Sequence, residues 1–179
     1  QMQATKAFYA QDIERLVQDH QVHRDVYTSQ DVYALEMQHL FANVWVFVGH
    51  DSQTPKHGDY FTTQIGSQPV IQVRHSDGAI KVLHNRCPHK GTKIAIDRHG
   101  NTGAIFRCPY HAWSFETDGR LKAVPLDSGY SDTSFGTTEN ANGIKPVGEV
   151  RNHRGFVFAR LADRGISIDD FFGDSLSSI

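Results

Sequence analysis

Both cysteines of this 179-residue chain stand in two near-duplicate segments, and this duplication limits the possible folds more than any other sequence feature. The segments are Cys87-Pro88-His89 and Cys108-Pro109-Tyr110-His111, which are separated by the 18 residues 90–107. Each segment follows a short apolar run of strand type, so each is predicted to lie on a loop at the end of a strand. A paired hairpin can bring two such loops face to face.

The hydrophobic periodicity changes at Val44. Before it, residues 7–21 and 32–41 carry partial apolar stripes that predict helices, the second with Thr28 or Ser29 as its N-cap. After it, short apolar runs alternate with turn signals such as Ser76-Asp77-Gly78 and 99–101. The predicted strands are 44–48, 60–65, 70–74, 80–83, 104–107, 113–115 and 155–161. This pattern is typical of an antiparallel β-sandwich or barrel, so the fold class is predicted to be mostly β with N-terminal helices.

The same changes in pattern divide the chain into three parts. Residues 1–43 are predicted to form an N-terminal helical segment, 44–162 a β domain, and 163–179 a tail that is acidic and rich in serine. Within the β domain, residues 126–142 are polar and turn-rich, which predicts a long surface excursion. The total length suits a single domain.

The charge balance argues against several classes of protein. Lys and Arg number 18 and Asp and Glu number 20, so nothing indicates a nucleic-acid partner. No apolar run approaches the roughly 20 residues needed to cross a bilayer. Two cysteines cannot form a disulfide framework, and the N-terminus lacks the pattern of a secretory signal. We therefore expect a cytoplasmic protein without membrane or nucleic-acid partners.

The two loops together offer two thiolates and two imidazoles, which suit two kinds of metal centre. One is tetrahedral zinc. The other is a Rieske [2Fe–2S] cluster, in which two His replace two Cys on one iron. Zinc fingers favour paired Cys followed by paired His, whereas each loop here supplies one of each. The order therefore favours a cluster with Cys87 and Cys108 on one iron and His89 and His111 on the other. Chance histidines beside two structural cysteines are disfavoured, because both cysteines lie in duplicated Cys-Pro pairs.

These loops resemble the Rieske motif. A wider stretch, roughly residues 30–162, resembles the N-terminal Rieske domain of the large (alpha) subunit of bacterial aromatic-ring-hydroxylating oxygenases, which implies a Rieske-type antiparallel β-sandwich. Lys90 departs from the family pattern, which more often has Arg there. The segments that carry the resemblance are 45–50, Pro55, 58–60, 85–91, 108–113, 118–119, 124–125 and 155–159.

The resemblance implies an oxidoreductase reaction. Electrons from a reductase or a ferredoxin would pass through the Rieske cluster to a mononuclear non-haem Fe(II), where O₂ is activated for ring hydroxylation. That iron belongs to a catalytic domain toward which the tail 163–179 would lead. We expect no catalytic residue in this chain itself and no turnover of an aromatic substrate by it alone. Asp19, His20 and His23 could in principle form a substitute iron site, but an exposed helix face is the favoured interpretation.

The resemblance also suggests partners and an alternative. It implies a trimer of alpha subunits, with or without small beta subunits. The alternative function is a free-standing Rieske ferredoxin-type carrier, which the N-terminal helices and the segment 45–60 disfavour. Rieske proteins of respiratory complexes carry Ser and Tyr hydroxyls where Trp113 and Phe115 stand here. Because two strong donors to the cluster are then missing, we expect a potential at the low end of the range of about −150 to +300 mV.

Overall fold

The computed structural model describes residues 10–179 except 132, 134 and 136–141, and every strand pair within those residues is antiparallel. The strands are β1 (Val17–Gln18), β2 (Gln21–Val22), β3 (Val46–His50), β4 (Asp59–Ile65), β5 (Gln68–Arg74), β6 (Ile80–His84), β7 (His99–Asn101), β8 (Ile105–Arg107), β9 (Ser114–Glu116), β10 (Leu121–Ala123), β11 (Glu149–His153) and β12 (Phe156–Arg160). The α-helices are α1 (Ala10–Ile13), α2 (Asp25–Thr28), α3 (Gln30–Leu35) and α4 (Ile168–Phe172). Each helix in the described residues is too short or too polar to span a bilayer.

Three sheets build the β domain. The central sheet has the order β6-β5-β4-β7, a second sheet has the order β11-β12-β3, and a third has the order β10-β9-β8. The mostly β, antiparallel fold class predicted from the sequence is confirmed. The third sheet carries one of the Cys-Pro loops on β8, and the central sheet carries the other on β6. The sheets therefore bring the two loops to one end of the domain.

The central sheet is covered on both faces. Ile71 and Val73 pack into a core that contains both cysteines, whereas Val70 and Val82 pack into a second core against β3 and β12. Burial on both faces explains why β5 reads as a nearly continuous apolar run rather than an alternating one. A third and smaller apolar cluster lies around Trp45.

The predicted turn at 76–78 is confirmed, whereas the one at 99–101 is wrong. Gly78 N donates to His75 O, and Ala79 N donates to Asp77 Oδ1, which closes the β5–β6 hairpin. Residues 99–101 instead form β7, in which Gly100 lies opposite Tyr60 of β4. A Cβ on Gly100 would lie 2.8 Å from Tyr60 Oη, so the glycine permits this close pairing.

The N-terminal segment is less helical than predicted. The first helical stretch ends at Leu16, and Val17 then pairs with Val22 across a tight turn. β-Branched valines favour this pairing over continuation of a helix. His20 and His23 therefore do not share a helix face, and both are exposed. Residues 7–9 of the predicted first helix lie outside the described residues.

The second predicted helix is confirmed over residues 30–40, and it begins as proposed. Ser29 is its N-cap, because its Oγ accepts a hydrogen bond from Val32 N at 3.5 Å. The helix α3 continues into one π-helical stretch, Glu36–Leu40. Near the other end of the chain, Ser167 caps α4 by accepting a hydrogen bond from Asp170 N. Part of the tail is therefore a short helix, one of the two outcomes that its sequence allowed.

The Arg160 side chain links the tail to the sheet of β11, β12 and β3 through hydrogen bonds. This side chain is only 2% exposed and lies at the end of β12. It donates to Glu149 Oε2 at 2.7 Å, to Ile166 O at 2.6 Å and to Ala162 O at 3.2 Å. Its guanidinium also lies over the Trp45 ring, 5.1 Å from the centroid. One buried cation thus joins two strands, the start of the tail and the third apolar cluster.

Candidate metal centre

The two Cys-Pro loops close with the same backbone pattern. Gly91 N donates to Cys87 O and Ala112 N donates to Cys108 O, so each cysteine carbonyl accepts from the residue four positions later. Each cysteine N–H in turn donates to the carbonyl five positions later, that of Thr92 or Trp113. Both loops also turn through a left-handed residue at the same position, with φ of 78° at Gly91 and 56° at Ala112. The duplication in sequence is therefore a duplication of backbone conformation.

The two thiols lie side by side in the interior. Cys87 is 2% exposed and Cys108 is 3% exposed, and neither forms a disulfide. Burial raises the pKa of the Cys87 thiol, and the neighbouring Cys108 thiol raises it further. Hydrogen bonds from the backbone N–H groups of His89 and Lys90 to the Cys87 sulfur oppose that rise. The loop thus directs donors at a sulfur that would carry negative charge when bound to a metal.

The two imidazoles also form a pair. The ring centroids of His89 and His111 lie 4.7 Å apart at an interplanar angle of 62°. His89 is partly buried, whereas His111 is exposed. Partial burial lowers the pKa of His89, and His111 and Lys90 lower it further. A lowered pKa favours the neutral ring, which is the form that binds metals.

Each imidazole has an aromatic neighbour. Trp113 stacks on His89 with ring centroids 4.7 Å apart and planes within 1° of parallel. Tyr110 stacks on His111 with ring centroids 3.7 Å apart. Trp113 therefore packs beside the first loop. The role of Tyr110 was missed, although an aromatic residue next to a candidate ligand on an exposed loop was a usable signal.

A third segment covers Trp113. Tyr130 and Phe135 stack on each other, and both meet the Trp113 ring edge-on, at centroid distances of 6.1 Å and 5.3 Å. Val124 packs against the same core. The predicted surface excursion 126–142 is therefore wrong for these two aromatic positions, because they bury apolar area against the loops. Its residues 132, 134 and 136–141 lie outside the described residues.

Asn85 is a supporting residue to which the sequence assigned no role. Its side chain is 3% exposed, and Nδ2 donates to Ala95 O at 2.7 Å. Its Oδ1 accepts from Ile94 N and Ala95 N. Asn85 therefore holds the strand end before the first loop to the segment that follows it. An uncharged amide suits this place, because it both donates and accepts.

The four candidate ligands form two pairs of like atoms rather than one ring around an ion. In the part of the chain that the structure describes, no three His, Cys, Asp or Glu side chains converge on a single ion. A [2Fe–2S] cluster of the Rieske type instead needs two thiolates on one iron and two imidazoles on the other. The paired arrangement fits this cluster.

Comparisons with known proteins agree with this geometry. Residues 44–134 match the family model described as Rieske [2Fe–2S] domain. The chain belongs to this family. A Rieske domain implies a [2Fe–2S] cluster, so the cofactor inferred from the loop order is supported by the family as well as by the geometry.

This chain is similar to parts of oxygenase subunits. It is 40% identical over 153 residues to the glycine betaine monooxygenase oxygenase subunit of Chromohalobacter salexigens, covering 86% of this chain and 33% of that one. It is 34% identical over 172 residues to the benzene 1,2-dioxygenase subunit alpha of Pseudomonas putida, covering 95% and 37%. Naphthalene 1,2-dioxygenase from Rhodococcus sp. bound to indole superimposes with a TM-score of 0.79 at 28% identity, covering 93% and 36%. The chain spans about a third of the length of these relatives.

One titratable group beside the Rieske loops should make stability depend on pH. His84 ends β6, and burial lowers its pKa, with a further contribution from Lys145. The unfolded chain therefore binds more protons at this site, and its ordinary His pKa is about 6.5. Folding stability from His84 is present above that value and is lost as pH falls below it.

We expect the His84→Gln variant to lose less stability than the wild-type chain between pH 7 and pH 5. Urea unfolding at several pH values measures this difference, and the same substitution at the exposed His57 serves as a control. Parallel stability–pH curves for the wild type and His84→Gln would contradict the assignment.

Proposed function

We propose that this chain is the Rieske electron-transfer part of an oxygenase alpha subunit, with Cys87, His89, Cys108 and His111 as the ligands of one [2Fe–2S] cluster. Such a cluster, when bound, takes up and releases one electron at a time. The two cysteines would hold the inner iron and the two histidines the outer one. Residues 44–162 are proposed as the domain that forms this site.

The observation that carries the proposal is the gradient of burial across the four side chains. Both sulfurs lie in the core, whereas His89 is partly buried and His111 is exposed. Buried sulfurs are shielded from water and oxidants, and the imidazole side faces outward, where a redox partner can approach. Trp113 and Tyr110 hold the two rings in place by stacking, which limits reorganisation around the outer iron.

The proposed partners follow from the resemblance to oxygenase alpha subunits. A reductase or a ferredoxin is proposed as the electron donor, and a mononuclear non-haem iron in a catalytic domain as the acceptor. A trimer of alpha subunits, with or without beta subunits, and a cytoplasmic location complete the proposal. The similarity to subunits of larger oxygenases supports this function over a free-standing carrier. His111 is proposed as the exit side, where a carboxylate of a neighbouring subunit would accept a charge-assisted hydrogen bond.

The reaction proposed for the whole enzyme is O₂-dependent hydroxylation of an aromatic ring. The relatives named for benzene and for glycine betaine match the chain at 34% and 40% identity, respectively. These two relatives are named for different substrates. Their similarity to this chain therefore supports the electron-transfer role, and it does not by itself select the substrate.

The test of the proposed function is a redox titration of the purified chain. We expect a red-brown protein with two iron and two sulfide per chain and the electron paramagnetic resonance signal of a reduced Rieske centre. The potential should lie near the low end of the Rieske range, about −150 mV, because Trp113 and Phe115 supply no hydroxyl donor. A colourless protein with one zinc per chain would refute the proposal.

The Trp113→Ser/Phe115→Tyr double variant should have a higher reduction potential than the wild-type chain, because it supplies the two hydroxyl donors that these positions lack. The same redox titration measures the change.

A further inference from the structure

An open groove runs along the first Rieske loop. Its volume is about 620 Å³, and its described lining is formed by Gln68, His84, Arg86, Cys87, Pro88, His89, Lys90, Gly91, Gly143 and Lys145. The groove thus joins the loop after β6 to the segment that precedes β11. His89 is the candidate ligand that it leaves open to a partner.

The charge of the groove is positive. Arg86, Lys90 and Lys145 are exposed along it, and none of its described lining residues is a carboxylate. Burial lowers the pKa of His84, so at neutral pH the charge comes from these three side chains and not from the histidine. The whole chain has a net charge of −2, so the groove is positive against the overall balance.

We propose that this groove is the docking surface for an acidic electron-carrier protein, an inference that rests on the function proposed above. The three cations lie at an open rim on flexible side chains, which suits a protein surface better than a small buried anion. A carrier seated there faces His89, which lines the groove. The carrier gives up one electron and the oxidised chain takes it up, and no bond forms or breaks. Electrons would then enter on the His89 side of the site, whereas His111 is the proposed exit side.

Long-range attraction between opposite charges accelerates encounter and weakens as salt is added. The rate of reduction by an acidic carrier should therefore fall with ionic strength, and reversing charges in the groove should reduce both the rate and its salt dependence. A small uncharged reductant needs no docking surface. Its rate of reduction of the chain should not change with ionic strength or with charge reversal in the groove.

The experiment uses the cluster-loaded chain and follows bleaching of its visible absorption in a stopped-flow instrument. The probe is a photoreduced plant-type [2Fe–2S] ferredoxin of acidic net charge, and the uncharged reductant is photoreduced deazariboflavin. We expect Lys145→Glu to lower the ferredoxin rate constant several-fold at low salt, and Lys145→Gln to lower it by a smaller factor. The rates with deazariboflavin should remain at the wild-type value.

Lys56→Glu is the matched control. Lys56 is exposed just before β4, whereas Gln68 of the groove pairs with the far end of that strand. Seven strand residues place the two roughly 20 Å apart along the sheet. This variant should change the ferredoxin rate by less than twofold. Equal salt dependence in all variants, or an equal loss with deazariboflavin, would overturn the docking proposal alone. A chain that deazariboflavin cannot reduce would refute the proposed function itself.

Discussion

Replacing Cys108 with serine should give a folded protein that has lost its visible spectrum. Serine is nearly isosteric with cysteine, so the core around Cys108 and Trp113 should keep its packing. A serine hydroxyl is far less acidic than a thiol, so it is a poor replacement for a thiolate as an iron ligand. We expect iron and sulfide to fall to below about a tenth of the wild-type content, measured by elemental analysis together with absorption and circular dichroism spectra.

A pair of histidine variants makes the test specific to the proposed ligands. His111→Ala should also lose the Rieske spectrum, whereas His99→Ala should keep it, although both imidazoles are exposed. If the Cys108→Ser chain retained stoichiometric iron and sulfide with an unchanged spectrum, the ligand assignment would be wrong.

Replacing Arg160 with alanine should lower the free energy of unfolding by about 3 kcal/mol. The variant loses the ion pair to Glu149 and the donor to Ala162 O, and it opens a cavity beside Trp45. Ile166 O loses one of its two donors and keeps the Trp45 indole N–H. Chemical denaturation followed by tryptophan fluorescence measures the loss.

Arg151 offers a matched control, because it pairs with the same Glu149 at 3.3 Å but its side chain is 61% exposed. Arg151→Ala should cost no more than about 0.5 kcal/mol, as is usual for a surface ion pair. If the two variants lost similar amounts of unfolding free energy, burial of Arg160 would make no extra contribution to stability, and the prediction would be wrong.

Buried strands were predictable from the sequence, and polar edge strands were not. The strands β4, β5 and β6 carry apolar residues that face one or both cores, so their pattern reports their position. In contrast, β7 is exposed at all three residues, and β11 is polar along much of its length. Such strands form because their backbones hydrogen-bond to a neighbouring strand. The periodicity of the side chains does not indicate that pairing. The boundaries at 43 and 162 stay predictions.

The candidate site was predictable as far as its chemistry depends on residue type. Spacing indicated four candidate ligands, and the structure places them in a thiol pair and an imidazole pair, which fits the proposed two-iron cluster. The support provided by Asn85 depends on which carbonyl lies within reach, and sequence spacing does not encode that distance. The left-handed turn at Ala112 was also hidden, because glycine is the residue expected in such a conformation.

The separate apolar cores allow the two ends of the molecule to open independently. The sulfurs are enclosed by residues of one core, among them Trp113 and Phe106, whereas the tail packs on a different cluster around Trp45. Local unfolding occurs in such cooperative units. One unit can therefore open frequently while its neighbour stays folded. Thermal fluctuations that release the tail would therefore leave the enclosure of Cys87 and Cys108 intact. The chain can remain mobile at one end while water and oxidants stay away from the thiolates at the other.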